Sequence, residues 1–254
     1  MIQIGEIVAS IEEVAPLSLQ ESWDNCGMQV CGAHLSQTID SVVVALDPTM
    51  EVLQKAIEIG SKMVITHHPL MLNGIRSVTR STPTGEIVIE ALHHGITIYS
   101  SHTAFDSAEG GINDYLAKSL QLSNIELLDA GGLGRVGDLR CPMQVGDFAR
   151  LLKEKFALPT IRTNATIDDK VFRVALCGGS GGSLISQAIA SGADTYLCGD
   201  LKYHNFDTHG GLKLFDIGHF ESENQFISLI SDIISKKFPN FAVHTMNSNY
   251  TTFL

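Results

Sequence analysis

The sequence predicts an α/β protein that consists of two similar α/β domains related by an internal repeat, with a metal site in the cleft between them. Three observations support this fold class. Short apolar runs alternate with amphipathic helical patterns along the 254 residues, which is typical of parallel strands joined by crossover helices. The order of these patterns recurs in the second half of the chain. Histidines and acids follow several of the apolar runs.

The first half alternates regularly between helical and strand patterns. In order, the predicted elements are a helix at 2–15 that Pro16 ends, a strand at 41–46, a helix at 49–60, a strand at 63–65, a helix at 84–94, a strand at 96–99 and a helix at 111–120. Thr49 is the expected N-cap of the second helix and Gly60 its stop. The segment 131–137 is too rich in glycine for regular structure, so we predict a junction between domains there.

The second half repeats this order. Its predicted elements are a helix at 145–156, a strand at 172–176, a tight turn at 178–182, a helix at 183–192 and strands at 195–198 and 212–217. We predict a first domain of residues 1–130 together with the C-terminal segment of about 215–254, and a second domain of residues 131–214 that includes the junction. The glycines at 178–182 could hold an anion with their amides. A tight turn between strand and helix, with close helix packing, is the preferred interpretation, because the lysine of a phosphate-binding loop is missing.

The composition is that of an ordinary globular protein, with 44% hydrophobic residues and a formal net charge of −11. No basic run occurs, which argues against nonspecific binding to nucleic acid, since phosphate neutralisation needs clustered Lys and Arg. The five cysteines are an odd set without a C-x-x-C pair, and we expect reduced, buried thiols at Cys177 and Cys198. Neither a signal peptide nor a long apolar run is present, so we expect a cytoplasmic protein without a membrane partner.

Histidines follow three of the predicted strands. His67 and His68 come directly after the run at 63–65, and adjacent strand residues point to opposite faces, so one core cannot satisfy both rings. At a strand's carboxyl end they would lie where open α/β sheets bind ligands. His102 with Asp106, and His219 with Glu223, follow two further strands, each pair a histidine and an acid four residues later. These three clusters predict a polynuclear metal site.

Imidazole and carboxylate ligands together suit Zn, Fe, Mn, Ni or Co. If the rings of His67 and His68 diverge, each binds its own ion, and Glu223 or Asp106 could bridge the two. Two divalent metal ions lower the pKa of a water between them, which makes hydrolysis the natural reaction class.

Other residues have simpler interpretations. The pair at 93–94 lies in the last helical turn, where imidazoles interact well with the helix dipole, and we predict a structural role for it. His204 follows a strand of the second half and could reach the site. The segment 21–27 holds the only tryptophan, Trp23, which either pins an N-terminal arm as a buried side chain or belongs to the site.

With these motifs assembled, the chain resembles the Nif-three-like family, whose members are also called type 2 homologues of GTP cyclohydrolase I. The resemblance covers nearly the whole chain. Its motifs are WDNCG at 23–27, THHPL at 66–70, SHTAFD at 101–106, GRVG at 134–137, CGGSG at 177–181, GAD at 192–194, GD at 199–200 and DIGH at 216–219, completed by Glu223.

The resemblance implies a dinuclear metal centre in a toroidal homohexamer of two-domain chains. The implied ligands are His67, His68, Asp106, His219 and Glu223. One ion would take His68 and Asp106, the other would take His67 and His219, and Glu223 would be shared. His102 would be a nearby proton donor or a group that supports the metal ligands, and Asp24 and Asn25 would also lie near the site.

We therefore predict a metal-dependent hydrolase that resembles the GTP cyclohydrolase I type 2 homologues. Its substrate would be a nucleotide or another phosphorylated small molecule, with His102 as the catalytic acid or base. The alternative is a non-catalytic metal-binding regulatory or scaffold protein that binds a protein or nucleic-acid partner. A purely structural metal site is a further alternative, and such sites have no open coordination position.

Overall fold

A computed structural model of the chain describes residues 1–207 and 211–251. The chain divides into two compact units. Unit 1 comprises residues 1–108 and 226–248, and unit 2 comprises residues 109–225 together with the segment that begins at Asn249. The mixed α/β composition is as predicted from the sequence. The predicted domain boundaries and the internal repeat stay predictions.

The elements follow one another in the order of the chain. Up to residue 108 they are β1 (Ile2–Gln3), α1 (Ile4–Glu12), β2 (Gly27–Val30), β3 (Thr38–Ile39), β4 (Ser41–Ala45), α2 (Met50–Glu58), β5 (Met63–Thr66), α3 (Pro83–His93), β6 (Thr97–Ser100) and α4 (Thr103–Ser107). Then come α5 (Ile112–Ser119), β7 (Ser123–Leu127), β8 (Arg135–Gln144), α6 (Val145–Phe156), β9 (Arg162–Thr163), β10 (Lys170–Ser180), α7 (Ile185–Ala190), β11 (Thr195–Gly199), β12 (Lys213–Asp216), α8 (His219–Glu223), α9 (Gln225–Lys237) and β13 (Ala242–Thr245). Short 3₁₀ helices cover Leu17–Leu19, Gly182–Leu184 and Tyr203–Phe206.

Unit 1 contains a five-stranded sheet in the order β13-β4-β5-β6-β2. The first four strands are parallel, and β2 is antiparallel to β6. Every residue of β4, β5 and β6 is buried, which explains why these strands appear in the sequence as unbroken apolar runs. Thr49 caps α2 as expected, since its Oγ1 accepts a hydrogen bond from the Val52 amide at 3.2 Å.

Unit 2 contains a six-stranded sheet in the order β7-β8-β10-β11-β12-β9. Its centre is again three parallel strands, β10, β11 and β12, while β8 and β9 pair antiparallel to the centre. The core on this sheet includes Val136, Ala175, Tyr196 and Leu214. In both units the parallel strands run side by side, so their carboxyl ends lie along one sheet edge.

Two predictions about the glycine-rich segments were wrong. Residues 131–137 are not irregular throughout, because β8 begins at Arg135 and pairs with β10. Residues 178–182 are not simply a tight turn, because β10 continues to Ser180. A strand is recognised in a sequence by the pattern of its apolar side chains. Glycine has no side chain, so the strand pattern does not show in either segment. The predicted helix at 183–192 is correspondingly shorter, a 3₁₀ turn followed by α7.

The segment 21–27 was given two interpretations, and the structure contradicts the one in which a buried Trp23 pins an N-terminal arm. Trp23 is not a buried pin, since 56% of its surface is exposed. Cys177 and Cys198 are buried thiols, as predicted. Within residues 1–207 and 211–251, no helix combines the length and the apolar character that crossing a membrane requires.

Candidate metal centre

Three histidines of unit 1 converge where β5 and β6 end. His67 and His68 follow β5 directly, and the amides of both donate to the carbonyl of Leu46, at 3.1 and 3.0 Å. The strand alternation is broken at this point, so the two rings do not diverge, and their centroids lie 5.0 Å apart. Ligand atoms of His67, His68 and His102 all lie within 4.8 Å of one another. This spacing is compatible with shared coordination of metal ions.

The rings of His67 and His68 are oriented by oxygen acceptors. Nδ1 of His67 lies 3.0 Å from the carbonyl oxygen of Ser101, and Nδ1 of His68 lies 2.7 Å from Oδ1 of Asp47. Carbonyl and carboxylate oxygens only accept hydrogen bonds, so each Nδ1 carries a hydrogen and donates it. In a neutral ring this assigns the lone pair to Nε2, which is the usual arrangement in metal-ligating histidines.

Asp106 lies next to these rings in the short helix α4. It is buried, and its Oδ1 is 3.7 Å from Nε2 of His67. Its position follows from the helix start, because the amides of Phe105 and Asp106 both donate to the His102 carbonyl. The spacing of four residues between His102 and Asp106 therefore places both side chains in one helical turn. Phe226 also packs against His67, with ring centroids 5.0 Å apart.

His102 is held by a buried carboxylate. Its Nδ1 lies 2.8 Å from Oδ1 of Asp24, whose side chain is fully buried. Asp24 also accepts hydrogen bonds from the amide and the hydroxyl of Thr103 and from the thiol of Cys26. Burial alone would raise the pKa of the Asp24 carboxyl, but these hydrogen bonds together with His102 hold it well below its usual range. Asp24 is therefore a fixed anion beside the imidazole.

Unit 2 offers a second pair of side chains that could bind a metal ion. His219 and Glu223 open and close the five-residue helix α8, and Nε2 of His219 lies 2.9 Å from Oε2 of the buried Glu223. Nδ1 of His219 lies 2.6 Å from a carboxylate oxygen of Asp200. Burial of His219 favours the neutral ring, but hydrogen bonds and charge from these two carboxylates outweigh it and raise its pKa to about 9. A divalent cation at Nε2 would take the place of a proton there.

Three backbone positions allow this pair to form. Gly179 has φ +63°, and a Cβ there would lie 1.9 Å from Oε1 of Glu223. A Cβ on Gly199 would lie 2.8 Å from the backbone nitrogen of His219. Asp200 itself adopts φ +56°, an uncommon conformation for a residue with a side chain. Such constrained backbone is typical of functional sites.

The glycines of 178–182 do not form an anion cradle with their first amides. The amide of Gly178 donates to Oδ1 of Asn113 at 2.8 Å, and the amide of Gly179 donates to the hydroxyl of Ser222 at 2.9 Å. Both donors are therefore committed inside unit 2. The structure supports the interpretation in which these glycines serve close packing.

The structure places the predicted ligands in two sets. His67, His68 and Asp106 form one set in unit 1, and His219 and Glu223 form the other in unit 2. His204 is exposed and packs on the ring of Tyr203, with centroids 5.3 Å apart.

Asp47 and Asp200, the acceptors that orient His68 and His219, were not predicted as site residues from the sequence. The signal that could have found them is position, because Asp47 comes soon after β4 and Asp200 immediately after β11, at the same strand ends as the histidines. In both units, imidazole Nε2 atoms and carboxylates form a donor set that fits Zn, Fe, Mn, Ni or Co.

Comparisons with known proteins agree with the family resemblance. A model of the Duf34/NIF3 (NGG1p interacting factor 3) family matches residues 2–252. The GTP cyclohydrolase 1 type 2 homolog of Clostridium perfringens is 31% identical over 243 residues, which cover 92% of each chain. A solved structure, reduced HcgD from Methanocaldococcus jannaschii, is 30% identical, with a TM-score of 0.85 over 96% of this chain and 97% of that one.

A second structure, that of a Bacillus cereus protein related to NIF3, shares the fold. Its TM-score is 0.87 at 24% identity, over 100% of this chain and 99% of that one. The family match extends over nearly all of the sequence, and the similarity to the C. perfringens relative covers most of both chains. The chain therefore belongs to the Duf34/NIF3 (NGG1p interacting factor 3) family.

Proposed function

We propose that this chain is a metal-dependent hydrolase with a dinuclear metal centre. The two ions are divalent, drawn from Zn, Fe, Mn, Ni and Co, and the substrate is a nucleotide or another phosphorylated small molecule. The proposed ligands are His67, His68, Asp106, His219 and Glu223. One ion takes His68 and Asp106, the other takes His67 and His219, and Glu223 is shared.

One observation carries the proposal: the histidines of both units are oriented in the same way. His67, His68 and His219 each place Nδ1 within 3.0 Å of an oxygen acceptor. Such acceptors fix the ring and raise the basicity of Nε2 in metal sites. The same arrangement recurs in three histidines, each of which follows the end of a strand. The relatives are named GTP cyclohydrolase 1 type 2 homologs, and this name supports a nucleotide substrate.

The residues of the chain have separate tasks in the proposed reaction. When bound, two divalent ions supply Lewis acidity toward water and substrate oxygens. Asp24 keeps Nδ1 of His102 protonated through the 2.8 Å hydrogen bond, so Nε2 of His102 is the atom that takes up or releases a proton. Asp47 and Asp200 hold His68 and His219 in orientation. Phe226 packs on His67 and keeps water from that side of the ring.

The proposal is tested by metal analysis of purified protein, followed by a hydrolase screen over nucleotides and phosphoesters after metal reconstitution. Two metal ions per chain and turnover of at least one nucleotide or phosphoester are expected. His68→Ala and Glu223→Ala should each lose activity while the protein stays soluble and assembled. His204→Ala is the matched control, since this histidine is exposed and its ring packs on that of Tyr203.

Two outcomes would contradict parts of the proposal. Full turnover in either ligand variant removes the mechanism. Two bound ions without turnover of any substrate favour the non-catalytic alternative, a regulatory or scaffold protein.

We further propose that the chain acts in the cytoplasm as a homohexamer. The assembly is tested by light scattering on the eluting protein, which should give six times the chain mass of 27.5 kDa. A monomeric or dimeric mass would overturn it.

A further inference from the structure

We propose that Trp23 is the platform on which a nucleobase of the substrate stacks. The inference deepens the proposed function, because it assigns a substrate-recognition residue to the same site. Trp23 would bind the end of the substrate that does not react, whereas the metal ligands and His102 would act on the reacting end.

Trp23 is exposed where a large aromatic side chain is normally covered. It is the only tryptophan of the chain, and 56% of its surface is accessible. Tryptophan is highly buried on average, because the burial of aromatic side chains contributes strongly to the stability of protein cores. The exposed part of the Trp23 ring makes no such contribution. An indole with this much free surface has room for a planar ring against it.

The backbone around Trp23 is held firmly, so the exposure does not arise from a loose arm. The side chain of the neighbouring Asp24 has no exposed surface and accepts a hydrogen bond from the Thr103 amide at 3.0 Å. On one side, the amide of Glu21 donates to the Thr103 hydroxyl at 2.9 Å. On the other, the side-chain amide of Asn25 donates to the Met71 carbonyl at 2.8 Å. A platform fixed before binding avoids the entropy loss of ordering it.

The indole is held next to the reacting groups. Its ring centroid lies 6.0 Å from that of His102, at an interplanar angle of 77°. His102 in turn lies 5.1 Å from His67 and 5.5 Å from His68, between ring centroids. A small molecule stacked on Trp23 would therefore present its other end to these imidazoles within the length of one nucleotide.

The chemistry of the platform selects a class of ligand. Aromatic side chains bind single bases by stacking, which every nucleobase permits because each has a π-face, and this is worth about 1–3 kcal/mol per base. A sugar phosphate without a base gains nothing from the indole face beyond ordinary contact. The platform therefore favours nucleotides over other phosphorylated molecules.

The single tryptophan makes the test site-specific. Zinc-loaded protein is titrated with GMP, AMP, CMP and UMP, and with ribose 5-phosphate as the base-free control. Fluorescence is excited at the red edge of the indole band, with free N-acetyltryptophanamide correcting for absorption by the nucleotides. At least one nucleotide should quench the emission to saturation, and ribose 5-phosphate should not.

Variants then separate stacking from other contacts. In calorimetry, Trp23→Ala should weaken binding of the quenching nucleotide about 5- to 150-fold, the range that corresponds to the loss of one stacked base. Trp23→Phe should keep most of the affinity, and the zinc content and ribose 5-phosphate affinity should not change. Leu92→Ala, which truncates another exposed apolar side chain, should bind like the wild type.

Three results would overturn the inference. They are equal nucleotide affinity of Trp23→Ala and wild type, no binding of any of the four nucleotides at millimolar concentration, and loss of the native assembly state in Trp23→Ala, which would assign the indole to a contact between copies of the chain. The proposed function fails separately. If the protein binds no metal while Trp23-dependent nucleotide binding persists, the hydrolase falls and the platform stands.

Discussion

Replacing Gly179 by alanine tests whether Glu223 is a metal ligand without altering any candidate ligand. A Cβ at position 179 would lie 1.9 Å from Oε1, 2.9 Å from Cδ of Glu223 and 3.4 Å from Nε2 of His219. Contacts shorter than 3 Å do not persist, so the buried carboxylate must move. Gly179→Ala should therefore displace Glu223 from its place beside His219.

The magnitude has two parts. Gly179 has φ +63°, and a left-handed conformation costs a residue with a side chain about 1–2 kcal/mol. Overpacking against the buried carboxylate adds about 1–3 kcal/mol. Gly192→Ala is the matched control in the same unit, because Gly192 has φ +74° and nothing lies within 4 Å of the added carbon. Gly192→Ala should therefore lose only the about 1–2 kcal/mol that the left-handed conformation costs.

The assay compares both variants with the wild type in two measurements. Urea denaturation of metal-free protein gives the free energy of unfolding, and calorimetric zinc titration gives the affinity. Gly179→Ala should lose more zinc affinity than the about 10–100-fold that removal of an outer hydrogen-bond partner costs. Gly192→Ala should bind zinc like the wild type. Wild-type zinc affinity in a folded Gly179→Ala protein would refute the role of Glu223.

Further predictions concern the acceptors and a buried ion pair. Asp200→Asn should weaken zinc binding about 10–100-fold in a calorimetric titration, since Asp200 orients His219 through a 2.6 Å contact; unchanged affinity would remove this role. Burial opposes the charge of Asp114, but hydrogen bonds, including one from the Arg135 guanidinium, hold the pKa of its carboxyl below its ordinary value. A lowered pKa in the folded state contributes stability above the unfolded pKa, and this is lost as pH falls through the folded pKa. The urea concentration at the unfolding midpoint of the wild type should therefore decrease as the pH is lowered below about 4. Asp114→Asn should be less stable than the wild type at pH 7 by about 3–5 kcal/mol. Its stability should also depend less on pH in the acidic range. Identical pH profiles for the two proteins would contradict this.

The sequence predicted well the elements whose side chains have a clear period. α6 spans Val145–Phe156 as predicted, and β4 and β5 agree within one residue. Apolar runs and helix caps are local signals, so one sequence is enough to detect them.

The parts that were missed depend on contacts between distant residues. The start of β8 at Arg135 lies among glycines, and its pairing with β10 across about 40 residues leaves no local pattern. Trp23 is exposed, whereas the side chain of its neighbour Asp24 is buried against His102 and Thr103. Burial of that kind cannot be inferred from the residue type, because tryptophan is ordinarily covered.

The candidate site was predictable as a set of residue types, but not in its geometry. Histidines at strand ends were visible in the sequence, whereas the convergence of His67 and His68 results from two amides that share the carbonyl of Leu46. Asp47 belongs to no motif, and the GD motif at 199–200 does not show that Asp200 contacts a histidine about 20 residues later in the chain.

Anomalous diffraction at the zinc edge from crystals of zinc-loaded protein tests the central claim most directly. We expect two peaks about 3.5–4 Å apart, one in contact with Nε2 of His67 and the other with Nε2 of His68, with a carboxylate oxygen of Glu223 between them. A single peak, or zinc bound away from these nitrogen atoms, would contradict it.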